Sequence, residues 1–222
     1  MATPALYDAH ADWYEEYIGT ATEEYNRRVD GMLRDLLGGG TGGCLDVCCG
    51  TGARAGVLRE LGWTPLGVDL SRGQLRYGVR RLPAAVGGAA ALPVRDGAVP
   101  AAVCVLGHTD LPDYPAVLRE VARALRPGGR FVHVGVHPCF VGAFADRRDP
   151  TRIVVDERYA ERDRTLDAWC PSGVRARVGA WHVPVADLVN AVTAAGLRLL
   201  RAAEAGPGGV PDIFGLLATK GE

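Results

Sequence analysis

Lysine is nearly missing from this 222-residue chain, which contains Lys220 as its only lysine and otherwise uses arginine for strong positive charge. The arginines are scattered, and the formal net charge is −1. A chain without a basic stripe has no general attraction for nucleic acid or for an anionic membrane surface. We therefore expect no nucleic-acid partner. The heavy use of alanine, glycine and arginine is typical of bacterial proteins from GC-rich genomes.

Long apolar runs are also lacking. No uninterrupted hydrophobic stretch reaches the roughly 18 residues that a membrane-spanning helix needs. The first residues do not combine a basic region with an apolar one, as a secretory signal would. These features predict a soluble cytoplasmic protein without a membrane partner. The hydrophobic content of 48% is ample for a core, and 222 residues are most simply one domain.

Cysteines in metal-binding pairs are absent as well. No two cysteines are spaced as C-x-x-C, which argues against a zinc site and against a disulfide framework. Asp110 and Asp113 are too few acidic residues to hold a divalent metal at the strand ends, so we predict a protein that needs no metal. The six cysteines are Cys44, Cys48, Cys49, Cys104, Cys139 and Cys170.

The most informative stretch is residues 44–52. A short apolar run predicts a buried strand, Gly50 and Gly52 permit a tight turn, and a helical pattern follows. This arrangement brings a nucleotide-like cofactor against bare backbone. Asp46 is a carboxylate inside the apolar strand and needs a partner, because burying it unpaired is costly. The glycines also fit the G-x-G-x-x-A dinucleotide fingerprint, so an NAD-binding oxidoreductase is one alternative.

Four segments occur in a fixed order: DVCCGTGAR at 46–54, VDLS at 68–71, ALPVRDGAVP at 91–100 and LREVARALRPGGRFV at 118–132. With them the chain resembles the class I S-adenosylmethionine-dependent methyltransferases, specifically the small single-domain type that acts on small molecules. The resemblance covers roughly residues 5–136 and 182–219. It implies S-adenosyl-L-methionine as the cofactor and S-adenosyl-L-homocysteine as the product.

The resemblance also implies an α/β fold. We expect a doubly wound, Rossmann-like, mostly parallel seven-stranded sheet with an antiparallel edge strand, an N-terminal helical cap and a lid inserted after strand five. The regular alternation breaks in the inserted segment, and an insertion of that length is commonly a functional lid. The expected parts of the single domain are a helical cap and linker at 1–43, a cofactor-binding core at 44–137, a substrate lid at 138–183, and a final helix with edge strands at 184–222.

Asp69 ends the second predicted strand, 23 residues beyond Asp46. This spacing is close to that at which an acid reaches ribose hydroxyls in nucleotide-binding α/β units. A carboxylate is well suited to accept two hydrogen bonds from a vicinal diol. Asp69 is therefore predicted to bind ribose; the alternative is a cap on the following helix, which Ser71 could also provide.

The remaining cofactor contacts follow from the resemblance. In this family, N-terminal tyrosines reach the methionine part, and a ring face near a sulfonium is favourable because it attracts cations. Gly88 stands where the family has an acid that holds adenine, so backbone groups nearby would have to replace that contact. The implied cofactor-binding residues are Tyr7, Tyr14, Asp46, Cys48, Gly50, Gly52, Asp69, Leu70, Gly88, Ala89, Ala90, Leu106 and Gly107.

Three histidines are candidates for a catalytic base. His108 and His137 follow the fourth and fifth strands, at the sheet edge where ligands bind in open α/β folds, and His182 precedes the last helix. A histidine suits proton removal because its unperturbed pKa lies near working pH. Methyl transfer can also proceed by positioning alone.

These observations predict methyl transfer to an oxygen, nitrogen or carbon of a small-molecule acceptor by in-line displacement. The missing acid at Gly88 keeps a second alternative open, in which the fold serves as a cyclase or as a non-catalytic binder. We expect a monomer or a homodimer.

Overall fold

The computed structural model describes residues 5–149, 151–168 and 172–221, so Cys170 and a few residues of the inserted segment lie outside the described residues. The helices are α1 Ala11–Gly19, α2 Glu23–Leu37, α3 Ala55–Glu60, α4 Arg72–Gly78, α5 Tyr114–Ala124, α6 Val174–Val178 and α7 Val185–Ala194, with 3-10 turns at Asp8–His10, His108–Asp110 and Glu157–Ala160. The strands are β1 Gly43–Val47, β2 Thr64–Asp69, β3 Ala84–Val86, β4 Val99–Val105, β5 Leu125–Val136, β6 Ala145–Asp146, β7 Val154–Val155, β8 Arg164–Thr165, β9 Ala180–Trp181, β10 Leu197–Ala205 and β11 Ile213–Lys220.

Seven strands form one sheet in the order β10-β11-β5-β4-β1-β2-β3. The strands from β1 to β5 run parallel, and the order reverses at β1, where β2 lies on one side and β4 on the other. β11 runs antiparallel to both β5 and β10, one position inside the edge that β10 forms. The predicted doubly wound, mostly parallel sheet of seven strands is confirmed. The crevice at the switch between β1 and β4 is where ligands bind in such sheets.

Helices cover both faces of the sheet. α5 and α7 bury one apolar cluster, which includes Tyr114, Leu118 and Leu188, against one face. α2 and α3 bury a second cluster, which includes Leu33 and Leu58, against the other face. The central strands are therefore apolar on both sides, as is typical of parallel sheets. This is why the polar Asp46 is exceptional within β1.

The N-terminal segment is fastened to the core by Asp8. Its Oδ1 accepts hydrogen bonds from the Ser71 hydroxyl at 2.7 Å and from the Gly73 N–H at 2.9 Å. Both donors lie at the beginning of α4, whose first N–H groups have no partner within the helix. These hydrogen bonds lower the pKa of Asp8 below its ordinary value. The Asp8–His10 turn precedes α1, the first helix of the expected N-terminal cap, which begins at Ala11.

The inserted segment at 138–183 folds as small local elements. β6 pairs with β7, β8 pairs with β9, and α6 lies between them along the chain. β9 packs against the Asp110 turn that follows β4. The insertion therefore reaches the crevice side of the sheet. Within the described ranges, no helix is both long and apolar enough to span a bilayer.

We expect the Asp8→Ala variant to lose about 1 kcal/mol of unfolding free energy, because it removes a cap from α4 and releases the N-terminal segment. Urea denaturation would measure the loss. Asp12→Ala is the matched control, since exposed Asp12 also contacts α4, through Arg76 and Tyr77. Its removal should leave stability unchanged, because exposed ion pairs contribute little. Equal losses in the two variants would contradict this role of Asp8.

Candidate functional site

Two adjoining cavities lie at the carboxyl ends of the parallel strands. The inner cavity, of about 450 Å³, is lined by the ends of β1, β2 and β4 and by the N-terminal segment. The outer cavity, of about 480 Å³, lies between the N-terminal helices and the inserted segment. The residues that line both cavities are Tyr7, Tyr14, Ile18, Leu106 and Asp110. A ligand in one cavity therefore meets a ligand in the other at these side chains.

The ends of β1 and β4 adopt a strained backbone. Cys48 and Leu106 have φ angles of 62° and 61°, a region that non-glycine residues rarely enter. The next residue after Leu106 is Gly107, where a Cβ atom would stand 2.9 Å from the Cβ of Cys48. The ends of β1 and β4 are therefore so close together that no side chain fits at position 107. Left-handed residues of this kind cluster at ligand sites, where the surrounding fold holds them.

The two glycines of the first turn have different positions. Gly50 has a φ of 53° and lines the inner cavity, as the sequence predicts. Gly52 has a φ of 74° but does not line the cavity, and a Cβ there would collide with Leu82. Gly52 therefore closes the turn against the segment after α4. Its expected contact with the cofactor stays a prediction that this geometry does not support.

Asp69 joins the first turn to the end of β2. Its Oδ2 accepts the Gly50 N–H and its Oδ1 accepts the Ser71 N–H, both at 2.8 Å. Burial raises the pKa of Asp69, and these backbone hydrogen bonds oppose that rise. Each oxygen keeps a free lone pair on the wall of the inner cavity. The N-cap of α4 is Ser71, which accepts the Gln74 N–H, so Asp69 remains available for a diol.

Asp46 is a buried carboxyl group on the same wall. It is 2% exposed, and its Oδ2 has no hydrogen-bond partner within the described ranges. Burial raises the pKa of Asp46 to about 7, although the positive charge of Arg54 opposes this shift. Arg54 itself is paired with Asp30 at 2.6 Å and bonded to Asn26. An unpaired carboxylate oxygen at a cavity wall fits a positively charged hydrogen-bond donor on a ligand.

The segment after β3 lines the opposite part of the inner cavity. Gly87, Gly88 and Ala89 are on its wall, whereas Ala90 is not. A Cβ at Gly88 would meet nothing within 4 Å, so this corner is open. The three acidic residues of the inner cavity are Asp46, Asp69 and Asp110, and none of them belongs to this segment. Cys48, Leu70 and Gly107, which the resemblance also implied, do line the inner cavity.

Tyr7 and Tyr14 line both cavities. Their rings meet edge to face with centroids 5.5 Å apart, at the junction of the two cavities. The Tyr7 hydroxyl donates to Asp110, with distances of 3.1 and 3.2 Å to its two carboxylate oxygens. Burial and the neighbouring Asp110 raise the pKa of Tyr7 well above its ordinary value. Both tyrosines are therefore neutral at physiological pH.

The three histidine candidates do not line either cavity. His108 is 2% exposed and packs against His133, whose Nδ1 is 2.8 Å from the Tyr114 hydroxyl. Burial lowers the pKa of His108 well below its ordinary value. This corrects the expectation that the side chain follows its strand end into the crevice. It turns instead into the core beside Gly135.

His137 and His182 are held by other contacts. His137 Nδ1 accepts the Cys139 N–H at 3.1 Å, so its Nε2 carries the proton and donates to Glu204 at 2.7 Å. His182 Nε2 donates to the Tyr159 carbonyl oxygen at 2.9 Å, and burial lowers the pKa of His182 to about 4. The sequence predicted His137 and His182 on the acceptor side, but neither side chain lines the outer cavity. A base role for the three histidines stays a prediction without support from this geometry.

The outer cavity contains polar groups that the sequence did not single out. Arg28 pairs with Asp212 at 2.8 Å on its wall. Asp212 Oδ1 and Tyr25 Oη are buried without a hydrogen-bond partner in the described part of the chain. Arg175, from α6, completes the wall. In the sequence, Asp110 lies at a predicted strand end and was considered only as a metal ligand. No sequence pattern indicated Arg175, which belongs to the inserted segment.

Comparison with known proteins shows what this chain is similar to. Residues 44–129 match the family model of a methyltransferase domain. Demethylmenaquinone methyltransferase from Mycolicibacterium paratuberculosis is 39% identical over 133 residues, which are 58% of this chain and 56% of that protein. The chain is similar to S-adenosylmethionine-dependent methyltransferases over this part of its length. It spans between 39% and 64% of the length of the curated relatives that it matches.

Solved structures agree with this methyltransferase fold. The S-adenosylmethionine-dependent methyltransferase from Mesorhizobium loti has a TM-score of 0.68 at 22% identity, over 87% of this chain and 96% of that chain. The cyclase SpnF has a TM-score of 0.62 at 19% identity, over 87% of this chain and 81% of that chain. At such identities the likeness concerns the fold alone.

The inner cavity fits S-adenosyl-L-methionine, the cofactor that the resemblance implies. The free lone pairs of Asp69 suit the ribose diol, and the unpaired Oδ2 of Asp46 suits the α-ammonium group. The rings of Tyr7 and Tyr14 suit the sulfonium at the junction with the outer cavity. The open corner at Gly88 offers the adenine backbone groups only.

We expect Asp69→Ala to weaken binding of S-adenosylhomocysteine by about 1–3 kcal/mol, the scale of a hydrogen bond to a charged group. Calorimetric titration of the folded variant would measure the affinity. Asp96→Ala is the control, because Asp96 is exposed and pairs with Arg123 away from both cavities. An Asp69→Ala protein that binds as tightly as the wild type would refute the ribose contact.

The pKa of about 7 at Asp46 predicts pH-dependent cofactor binding. The carboxyl group is neutral below this pKa and ionised above it, and only the ionised form attracts an ammonium group. Affinity for S-adenosylhomocysteine should therefore rise with pH through about 7, by roughly tenfold in total, the scale of one charged hydrogen bond. Asp46→Asn should abolish this rise. If the variant keeps the full slope, the titrating group is another residue.

Proposed function

We propose that this protein transfers the methyl group of S-adenosyl-L-methionine to an oxygen, nitrogen or carbon of a small-molecule acceptor. The observation that carries the proposal is the pair of adjoining cavities, which share a wall made of Tyr7, Tyr14, Leu106 and Asp110. A donor in the inner cavity and an acceptor in the outer cavity would meet at that wall. S-adenosylmethionine supplies a methyl group on a sulfonium, which is already a good leaving group.

The work of the protein in this proposal is mainly positioning. Asp69 and Asp46 orient the donor from β2 and β1, and the N-terminal segment closes over it from the Asp8 anchor. Alignment of two bound reactants can contribute about 7–11 kcal/mol to lowering a barrier. The helical cap and the inserted segment around the outer cavity would exclude water from the junction. The product would be S-adenosyl-L-homocysteine.

The acceptor is proposed to be a small molecule rather than a macromolecule. The outer cavity has about 480 Å³ and is lined by several tyrosines and small apolar side chains, which suits an aromatic or polyketide-like metabolite. The curated relatives named for demethylmenaquinone make a compound of that kind one candidate. We further propose that the protein works in the cytoplasm, as a monomer or homodimer, without nucleic acid.

A second function is favoured by one observation. No acidic side chain lies on the cavity wall at Gly88, and a fold of this type is also found in the cyclase SpnF. The chain would then use its cavities for cyclisation or binding without methyl transfer. An NAD-dependent oxidoreductase is less well supported, because a dinucleotide would place its phosphates near the buried carboxylate of Asp46.

Calorimetric titration of the cofactor-free protein with S-adenosylhomocysteine tests the proposal first. We expect one-to-one binding at micromolar concentrations or tighter, and no binding of NAD or NADH. Methyl transfer is then measured as release of S-adenosylhomocysteine across a panel of phenols, amines and quinols. Absence of cofactor binding would overturn the proposal. Binding without transfer to any acceptor would favour the second function.

A further inference from the structure

Asp110 occupies a special place between the two cavities. It is the one carboxylate that lines both of them among the described residues. Its backbone N–H donates to the Gly107 carbonyl oxygen at 3.0 Å, in the 3-10 turn that follows β4. The Tyr7 hydroxyl contacts both carboxylate oxygens and so holds the group toward the junction. A proton acceptor for the reaction would have to lie at this point.

Arg175 is a cation on the wall of the outer cavity. Arg28 is paired with Asp212, and Arg147 donates to the Phe140 carbonyl oxygen at 2.8 Å. Within the described ranges, the Arg175 guanidinium makes neither a hydrogen bond nor an ion pair within 4 Å. Burial lowers the pKa of Arg175, and the nearby Asp110 and tyrosines oppose that shift. A desolvated guanidinium without a partner favours a ligand that brings an anion.

We propose that the acceptor presents an acidic hydroxyl group, a phenol or an enol, with Asp110 as its proton acceptor and Arg175 as the counter-ion of the resulting oxyanion. This inference rests on the proposed methyl transfer and names the acceptor class and two residues for it. Neither residue is among the three histidines that the sequence suggested as bases.

The step balances in atoms and charge. The O–H bond of the acceptor breaks, its proton moves to a carboxylate oxygen of Asp110, and the electron pair stays on the acceptor oxygen beside Arg175. That oxygen forms the new bond to the methyl carbon while the carbon–sulfur bond breaks and leaves its electron pair on sulfur. Asp110 afterwards returns the proton to water. The charge inside the outer cavity does not change when the proton moves, because one anion replaces another.

The surroundings of Asp110 suit proton transfer near neutral pH. Burial raises the pKa of Asp110 to about 7, close to the value that favours a general base at physiological pH. The charged and titratable groups that face it include Tyr7, Tyr14, Cys48, Asp69, Arg164 and Arg175. The Tyr7 hydrogen bond and the two arginines favour the ionised carboxylate, whereas Asp69 opposes it.

Charge also argues against other acceptor classes. A permanent carboxylate at this position would face the ionised Asp110 and leave an excess negative charge. A protonated amine would face the unpaired Arg175. A neutral hydroxyl that becomes an oxyanion only after losing its proton avoids both repulsions.

The test uses 7-hydroxycoumarin and its methyl ether, 7-methoxycoumarin, with protein saturated by S-adenosylhomocysteine. The absorption spectrum distinguishes the phenol from the phenolate, so the ionised fraction of the bound probe is measured without methyl transfer. We expect 7-hydroxycoumarin to bind at least tenfold more tightly than the ether, and mostly as the phenolate at pH values where the free probe is mostly neutral.

Arg175→Met should reduce the phenolate fraction at least tenfold, and Arg175→Lys should restore part of it. Arg177→Met is the matched control on the same short helix, because Arg177 is exposed and lies over the Trp13 ring, 4.1 Å from its centroid, outside both cavities. A wild-type amount of phenolate in Arg175→Met would overturn the role of Arg175. Equal binding of the two probes, or binding of neither, would overturn the acceptor class.

Proton release on probe binding tests Asp110. Calorimetry in buffers of different ionisation enthalpy measures it at pH 7. Asp110→Asn should release roughly half a proton more than the wild type, because a carboxyl group with a pKa of about 7 is half ionised there and takes up the phenol proton. Asp113→Asn is the control, since Asp113 caps α5 and Asn is an equally good cap. Equal proton release in wild type and Asp110→Asn would overturn this role.

The same preparations separate this inference from the proposed function. Binding of S-adenosylhomocysteine is measured first for every variant, and thermal unfolding confirms that each is folded. If the cofactor binds but the phenolate is not preferred, the acceptor inference fails and the methyl-transfer proposal stands. If the cofactor does not bind, the proposed function itself fails.

Discussion

The hydrogen bonds of Asp69 are the interaction on which the rest of the site depends. One carboxylate ties the first turn, through the Gly50 N–H, to the beginning of α4, through the Ser71 N–H. The ends of two neighbouring parallel strands are thereby locked at one edge of the sheet. These hydrogen bonds fix this edge of the sheet, and the crevice between β1 and β4 therefore keeps its shape. Cys48 and Leu106, whose backbones have left-handed φ angles, are held in place beside it.

The second constraint is the attachment of the N-terminal segment. Asp8 binds the same end of α4 that Asp69 organises, so the cap and the crevice share an anchor. Tyr7 then reaches Asp110 across the junction, although the two residues are far apart in sequence. The inserted segment brings Arg175 to the opposite side. The outer cavity is therefore built from three parts of the chain that meet only in the folded protein.

Much of the fold could be predicted from sequence, because hydrophobic patterns and glycine turns are local signals. The second strand ends at Asp69, as predicted, and the sheet is mostly parallel, as the family resemblance implied. Cofactor-side residues such as Asp69 and Gly50 were also predictable, since parallel strands end at one edge of a sheet. The histidines were not, because a position at a strand end does not determine where the side chain points. His108 turns into the core, while Asp110, two residues later, faces the cavities.

The sequence by itself determined the fold family, the cofactor-side loop and the carboxylate at the end of β2, since each is encoded within a short stretch of chain. Only the tertiary structure decided which polar groups face the outer cavity. Burial depends on what packs against a residue from distant parts of the chain, and burial gives Asp46 and Asp110 their raised pKa values. The place of Arg175 on the wall of the outer cavity likewise depends on how the insertion folds.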